Sequence, residues 1–333
     1  DLHLSIRRQR QMCIRDSFLT AIDPYGHELW RWTFPVNKLN QQTEQLSPLS
    51  SRPAYTETEN ELTVKANKRT FIFSKKDGQL KGVSVDNRKI SFANGPRFIG
   101  ARRADRSLDQ FYNHDDEKAK EKDRTYSEFP DATVFTKLDV KQDGGDLIVT
   151  ANYKLGNLDK AQWTINPSGE LALDYTYNFS GVVDLMGIRF DYPEDQVISK
   201  RWLGAGPYRV WQNRIHGTQY DVWENDYNDP IPGETFTYPE FKGYFGDVSW
   251  MNIQTKEGTI SLTNETPDAY IGVYQPRDGR DRLLYTLPES GISVLNVIPP
   301  VRNKVNSTDL CGPSSQPKWV NGPQTGRVIF RFM

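Results

Sequence analysis

Cysteine is nearly absent from this sequence, with Cys13 and Cys311 the only two in 333 residues. That is too few for a disulfide framework. With only four histidines, scattered at positions 3, 27, 114 and 216, it is also too few for a clustered zinc site. No metal and no cofactor is expected. An excess of one charge is missing as well. Lys and Arg total 42 against 43 Asp and Glu, a formal net charge of −1, so nothing marks the chain for a phosphate backbone or an anionic membrane. No run approaches the roughly 18 consecutive apolar residues that cross a bilayer. These absences argue against nucleic acid and membrane as partners and predict a soluble chain.

What the sequence does hold is aromatic: 16 Tyr, 16 Phe and 8 Trp, alongside 24 Gly and 20 Pro. That mixture suits short strands joined by tight turns. It also suits sugar binding, although an aromatic-rich β core produces the same counts. Hydrophobic residues at 36% are enough to build a sizeable core.

Residues 1–17 show neither helical nor strand periodicity, and RQRQMCIRDS within them is similar to translated sequencing-adapter peptide. They are read as an artefactual or disordered leader, which leaves Cys311 as a lone thiol and the true N-terminus missing. Residues 18–35 read as strand, a Pro24-Tyr25-Gly26 turn, and a second strand with Trp30 and Trp32 on one face, the terminal hairpin of a truncated sandwich domain. Residues 36–60, polar with Pro48 and Pro53, read as a linker. From 61 to 333 the pattern is strand after strand. Asp77-Gly78 marks a hairpin turn, and Leu171, Leu173, Tyr175, Tyr177 and Phe179 alternate with Ala172, Asp174, Thr176 and Asn178 so that the first set is buried. TISLTN, AYIGVYQ, ISVLNVI and RVIFRF continue the series. Only Ser107–Arg124 has helical potential, and its charge on all sides favours an exposed loop or short surface helix. The expected fold is all-β, a large antiparallel β-sandwich.

The densest chemistry lies between Trp202 and Trp250. Gly204, Gly206 and Pro207 force a turn, after which Tyr208, Arg209, Trp211, Asn213, Arg214, Tyr220, Asp221 and Trp223 interleave rings with donors and acceptors. Sugars present flat C–H faces and hydroxyls, and a binding surface needs both kinds of group. The competing interpretation is structural, with Trp202, Trp211, Trp223 and Trp250 packing a core and Arg214 pairing with Asp221. Glu224, Glu234 and Glu240 show no spacing that sets two carboxylates across one sugar, so no catalytic residue is assigned.

W-L-G-x-G-P at 202–207, Asn213-Arg214, Tyr220-Asp221-x-Trp223, Tyr238-Pro239-Glu240 and a Gly before Trp250 together resemble the C-terminal small-chain domain of glycoside hydrolase family two β-galactosidases. FSKKDGQLKGVSVDNRKI is similar to the opening of that domain, and residues 18–35 to the last hairpin of the immunoglobulin-like domain before it. The resemblance implies a galactose-mutarotase-like supersandwich and a carbohydrate, β-galactoside-like substrate. Cleavage is implied to reside on a (β/α)8 barrel that this chain lacks, with the missing N-terminal catalytic domains as partners.

It further implies that the substrate contacts are Trp202, Tyr208, Trp211, Asn213, Arg214, Asp221 and Trp223, joined by Trp319, because the family's last domain lends an aromatic from a late loop to the sugar pocket. The spacing from Trp319 to the final strand is shorter than in the family, and FKGYFGDVSW and Pro299-Pro300 depart from it. Another glycoside therefore stays open as substrate, as does a buried or edge-capping Trp319. A purely structural or independent sugar-binding module, and a mutarotase using His216, stay open as functions. Compartment is not legible from the residues, with periplasmic or extracellular favoured over cytoplasmic. The sequons at Asn178, Asn264 and Asn306 carry little weight without it.

Overall fold

A computed structural model describes residues 3–7, 16–35, 51–103, 126–226, 243–273, 287–300 and 313–333. Among these residues there is no α-helix, and the strands form three antiparallel sheets. The first pairs β1 (His3–Arg7), β2 (Asp16–Ile22) and β3 (Glu28–Pro35).

The second sheet carries, in spatial order, β20 (Tyr270–Val273), β21 (Ile292–Val297), β15 (Leu185–Asp191), β9 (Ala93–Arg103), β7 (Leu80–Val85), β6 (Arg69–Ser74), β5 (Glu61–Ala66) and β4 (Ala54–Glu57). Two short strands, β8 (Arg88–Ile90) on β7 and β10 (Tyr126–Glu128) on β9, complete it. The third runs β11 (Val134–Asp143), β12 (Asp146–Lys154), β13 (Leu158–Ile165), β14 (Leu171–Val183), β22 (Lys318–Phe332), β19 (Gly258–Asn264), β18 (Trp250–Thr255), β16 (Val197–Gly206) and β17 (Gln219–Asp226).

The second and third sheets face each other across one apolar core, the sandwich that strand alternation predicts. Phe73 of β6 meets Trp163 of β13 at 5.9 Å between ring centroids, and Phe98 of β9 meets Tyr177 of β14 at 5.4 Å. Phe92, Phe190 and Phe330 form a mutual cluster at 4.8–5.3 Å. In β14 the five residues expected inward are buried or half-buried, while Asn178 is exposed. Ala172 is the exception, at 4% exposure, being small enough to be covered by its strand neighbours.

Local turn chemistry agrees with the sequence. At Asp77-Gly78, the Gly78 φ is +74°, Ser74 N donates to Gln79 O at 2.9 Å, and Gln79 N donates to Asp77 Oδ1 at 3.1 Å. At the first hairpin, Gly26 has φ +90° and Asp23 Oδ1 accepts from Tyr25 N and His27 N at 2.9 and 2.8 Å.

Three features depart from expectation. His3–Arg7, within the stretch read as an irregular leader, pairs with β2 from His3↔Ile22 to Arg7↔Phe18. Ala54–Glu57, within the stretch read as linker, pairs with β5, and all four of its residues are exposed. Both are edge strands; β4 buries none of its side chains, and in β1 the Leu4–Ile6 alternation is a single repeat long. β22 is also longer than RVIFRF, because its first half continues along β14 as far as Val183↔Lys318. The Ser107–Arg124 stretch, both cysteines and the Tyr238-Pro239-Glu240 motif lie outside the described residues.

Candidate functional site

The candidate segment begins where β16 ends, against a second, smaller core built from Ile99, Tyr126, Leu185, Val210, Trp211 and Tyr244 among others. Val210 and Tyr244 exchange both main-chain bonds at 2.8 Å, which fixes the Tyr208–Arg214 loop on the fold. Arg214 N then donates to Trp211 O at 2.8 Å, closing a tight turn.

The eight predicted contacts separate by burial. Trp202 is fully buried, donates Nε1–H to Ala205 O at 2.9 Å, and sets its ring edge-on to Phe245 at 4.8 Å. Trp211 is 2% exposed and edge-on to Tyr244 at 5.7 Å. Neither indole offers a face to a ligand, so both are corrected from substrate contact to core. Of the other tryptophans, Trp223 is half-buried and shares its N–H between Gly204 O and Gln219 O, each at 3.2 Å. A Cβ on Gly206 would collide with this indole, which is why glycine stands there. Tyr208 is half-buried over Gly217, and burial pushes its hydroxyl above its ordinary value. Asn213 is half-buried.

Arg214 and Asp221 are exposed, and the pairing that the structural interpretation required does not form. Among the described residues, Asp221 Oδ1 accepts only from Val222 N, at 2.7 Å, and the Arg214 guanidinium has no hydrogen bond or ion pair. Trp319 is 71% exposed on β22, opposite Val182.

Sequence reasoning missed the residue that joins these parts. Gln212 is 8% exposed, and its Nε2 donates to Ser314 O at 2.9 Å and to Gln316 O at 2.8 Å. Its main-chain N donates to Pro299 O at 3.1 Å. One side chain thereby ties the Trp211–Arg214 turn to the segment leading into Trp319. A glutamine between Trp211 and Asn213 gives no periodic signal, so only the fold reveals it. Arg209, expected among the polar groups presented with the rings, is buried instead, and a second buried cation, Lys200, was missed. Arg209, 1% exposed, lies 5.7 Å from the Phe245 ring, and Lys200, fully buried, lies 5.9 Å from it.

Replacing Gln212 with Leu leaves two carbonyls without their donor. A stability loss of about 1–3 kcal/mol is expected. Hydrogen exchange should read the same loosening as faster exchange over 313–320, with 171–177 unchanged. Equal exchange in both variants would mean that Gln212 does not hold the segment.

The carboxylates and histidine of this region do not form an acid–base couple among the described residues. Glu224 is exposed and pairs with Arg201 at 3.9 Å, and Glu234 and Glu240 lie outside the described residues. His216 is exposed beside Gly217 and makes no ion pair. What the arrangement offers is recognition, through an uncommitted guanidinium, an uncommitted carboxylate and exposed or half-exposed rings.

A search of curated proteins finds no match. Among solved structures, a galactose 1-epimerase from Lactobacillus acidophilus NCFM is similar at 10% identity and TM-score 0.44, over 85% of this chain and 99% of that one. A copper-containing benzylamine oxidase from Hansenula polymorpha is similar at 7% identity and TM-score 0.34, over all of this chain and 77% of that one. The family model described as beta galactosidase small chain matches residues 65–299, well over half of the sequence. The chain belongs to the beta-galactosidase small-chain family, with the all-β, antiparallel architecture expected of it.

Proposed function

We propose that this chain is the non-catalytic, carbohydrate-binding C-terminal part of a β-galactosidase-like glycoside hydrolase. Its loops complete a sugar pocket whose bond-breaking carboxylates sit on a (β/α)8 barrel supplied by residues outside this sequence. Arg214, Asp221, Tyr208, Asn213, Trp223 and Trp319 are the side chains that reach the sugar. Trp202 and Trp211 support them from beneath. The observation that carries this reading is the clasp made by Gln212, which holds the Trp211–Arg214 turn beside the Trp319 segment. An uncommitted cation, an uncommitted carboxylate and an exposed indole have no packing role to explain them.

The test is hydrolysis of p-nitrophenyl β-galactoside by this chain alone and by the same chain joined to the barrel that precedes it in its reading frame. No turnover by the chain alone is expected. In the joined protein, Trp319→Ala and Arg214→Ala should each raise KM about tenfold, as loss of one well-made contact worth about 1.4 kcal/mol does. Turnover by the chain alone would refute the proposal. An unaltered KM in both variants would leave an independent module as the better reading.

A further inference from the structure

A second recognition site lies far from the Tyr208–Trp223 region. A pocket of about 320 Å³ opens between the two large sheets where the β6–β7 turn, the start of β9, the Asp131–Phe135 segment and β12 meet. In the third sheet, β13 and β16 are separated by five inter-strand steps. At about 4.8 Å each, these put the two sites ~24 Å apart.

The pocket floor holds an unmet polar group. The Tyr153 hydroxyl is buried and has no hydrogen-bond partner. Burial pushes its pKa above the ordinary tyrosine value, with the charges of Asp77 and Asp131 adding to the effect, so both carboxylates lie close enough to be felt by the phenol. Native proteins leave few buried donors unsatisfied, because an unpaired buried hydroxyl forfeits the hydrogen bonds it makes in water.

Around the phenol, hydrogen-bonding capacity is present in both senses and is not used up. Asp77 Oδ1 is occupied by Gln79 N at 3.1 Å, while its second oxygen and the Gln79 side-chain amide have no partner. Asp131 Oδ1 accepts from Thr133 N at 3.0 Å and from the Thr133 hydroxyl, leaving its other oxygen open. Lys76 makes no ion pair, and Arg97 is already committed to Asp191 and to Asn94 O. Two cations and two carboxylates line the pocket, but the charge of Arg97 is met by Asp191 outside the lining, so Lys76 alone faces Asp77 and Asp131 and no positive charge is in excess. The apolar wall is Phe135, edge-on to Tyr153 at 5.9 Å, with Pro96.

We infer that this pocket binds one ring of a neutral, polyhydroxylated ligand of the pyranoside class, with Tyr153 as its buried polar contact and Phe135 as its apolar ledge. A lining with no excess of positive charge disfavours an anion, and Lys76, in the same lining as the two carboxylates, opposes a cation. Open acceptors beside an open donor match vicinal hydroxyls, each of which both gives and takes a hydrogen bond. The volume is at the lower end of the roughly 300–1,000 Å³ typical of small-molecule sites. This site is independent of the proposed barrel-facing pocket and stands or falls without it.

The experiment is ligand-observed NMR titration of the full chain with methyl β-D-galactopyranoside and methyl β-D-glucopyranoside, with galacturonate and galactosamine as charged controls. A neutral pyranoside is expected to bind, at least tenfold more weakly to Tyr153→Phe, and with unchanged affinity to Lys256→Ala, an exposed lysine of the β18–β19 turn that lines neither site. Tyr153→Phe removes a hydroxyl that has no partner in the free protein, so its unfolding temperature should equal or exceed that of the parent. Asp131→Asn keeps the Oδ1 turn and serves as a second variant, with weakened binding expected again. Absence of neutral pyranoside binding, equal binding by Tyr153→Phe, or preference for either charged control would overturn the inference. Binding lost in Arg214→Ala but kept in Tyr153→Phe would assign it to the other site and overturn it equally.

Discussion

Replacing Trp202 with Ala is expected to lower the stability of this protein by about 3–5 kcal/mol, the range for emptying a buried aromatic site. The indole is fully buried, its N–H is satisfied by Ala205 O, and its edge meets Phe245. Truncation removes the contact area and opens a cavity that the paired strands β17 and β18 on either side cannot close. Against a typical total of about 5–15 kcal/mol, that is a large share. Arg214→Ala, twelve residues on, should change stability by no more than about 0.5 kcal/mol, because its side chain is exposed and makes no bond. Guanidinium unfolding measures both, with the midpoint moving and the slope held constant. A loss below about 1 kcal/mol for Trp202→Ala would show that the ring is not part of the core.

Stability should also fall steeply above pH 10. Tyr175 and Tyr177 stack at 6.2 Å with an interplanar angle of 8° inside the sandwich. Burial pushes the Tyr175 hydroxyl up to about 12, offset in part by the Thr266 hydroxyl, and burial with Tyr175 alongside pushes Tyr177 well above the ordinary value. A raised folded value means that the native state keeps its proton where the unfolded chain has lost it. The associated stability is intact below the unfolded value of about 10 and disappears as pH climbs to the folded one.

For Tyr175, a displacement from 10.0 to about 12 corresponds to about 3 kcal/mol across that window. Urea unfolding at a series of pH values from 9 to 12 would read it. Tyr175→Phe should flatten the curve, and Tyr177→Phe should do the same while losing about 1 kcal/mol at neutral pH with its bond to Asn296 Oδ1 at 2.7 Å. Identical slopes in parent and both variants would place the alkaline transition elsewhere.

The strands were legible because period-two burial is a local property. Leu171 to Phe179 carried their facing in the sequence, and Asp77-Gly78 carried its turn. β4 was not legible, since an exposed edge strand recruited through main-chain bonds needs no apolar alternation, and β1 offered only one repeat of it, Leu4 and Ile6. The site was half-legible for a related reason. Composition can say that rings and polar groups occur together between Trp202 and Trp223. It cannot say which rings face inward, because a core indole and a sugar-stacking indole are the same residue until the opposite sheet or loop is placed against them. Gln212 gave no signal because its partners are main-chain carbonyls about a hundred positions away. The pocket at Tyr153 was invisible for the same reason, as its walls come from four separate stretches between Lys76 and Leu158.

The position of β22 bears on how the molecule is made. In the third sheet it stands between β14 and β19, so the meander β11–β14 and the group β16–β19 are joined by a strand that is translated after both. While the ribosome is still working, each half presents an open edge towards the slot that β22 will fill. Such edges invite mispairing, and a premature stop ahead of Lys318 would leave the two halves permanently unzipped. Biosynthesis of this chain therefore leaves both edges open until β22 has emerged, the stage at which shielding by a chaperone has most to protect.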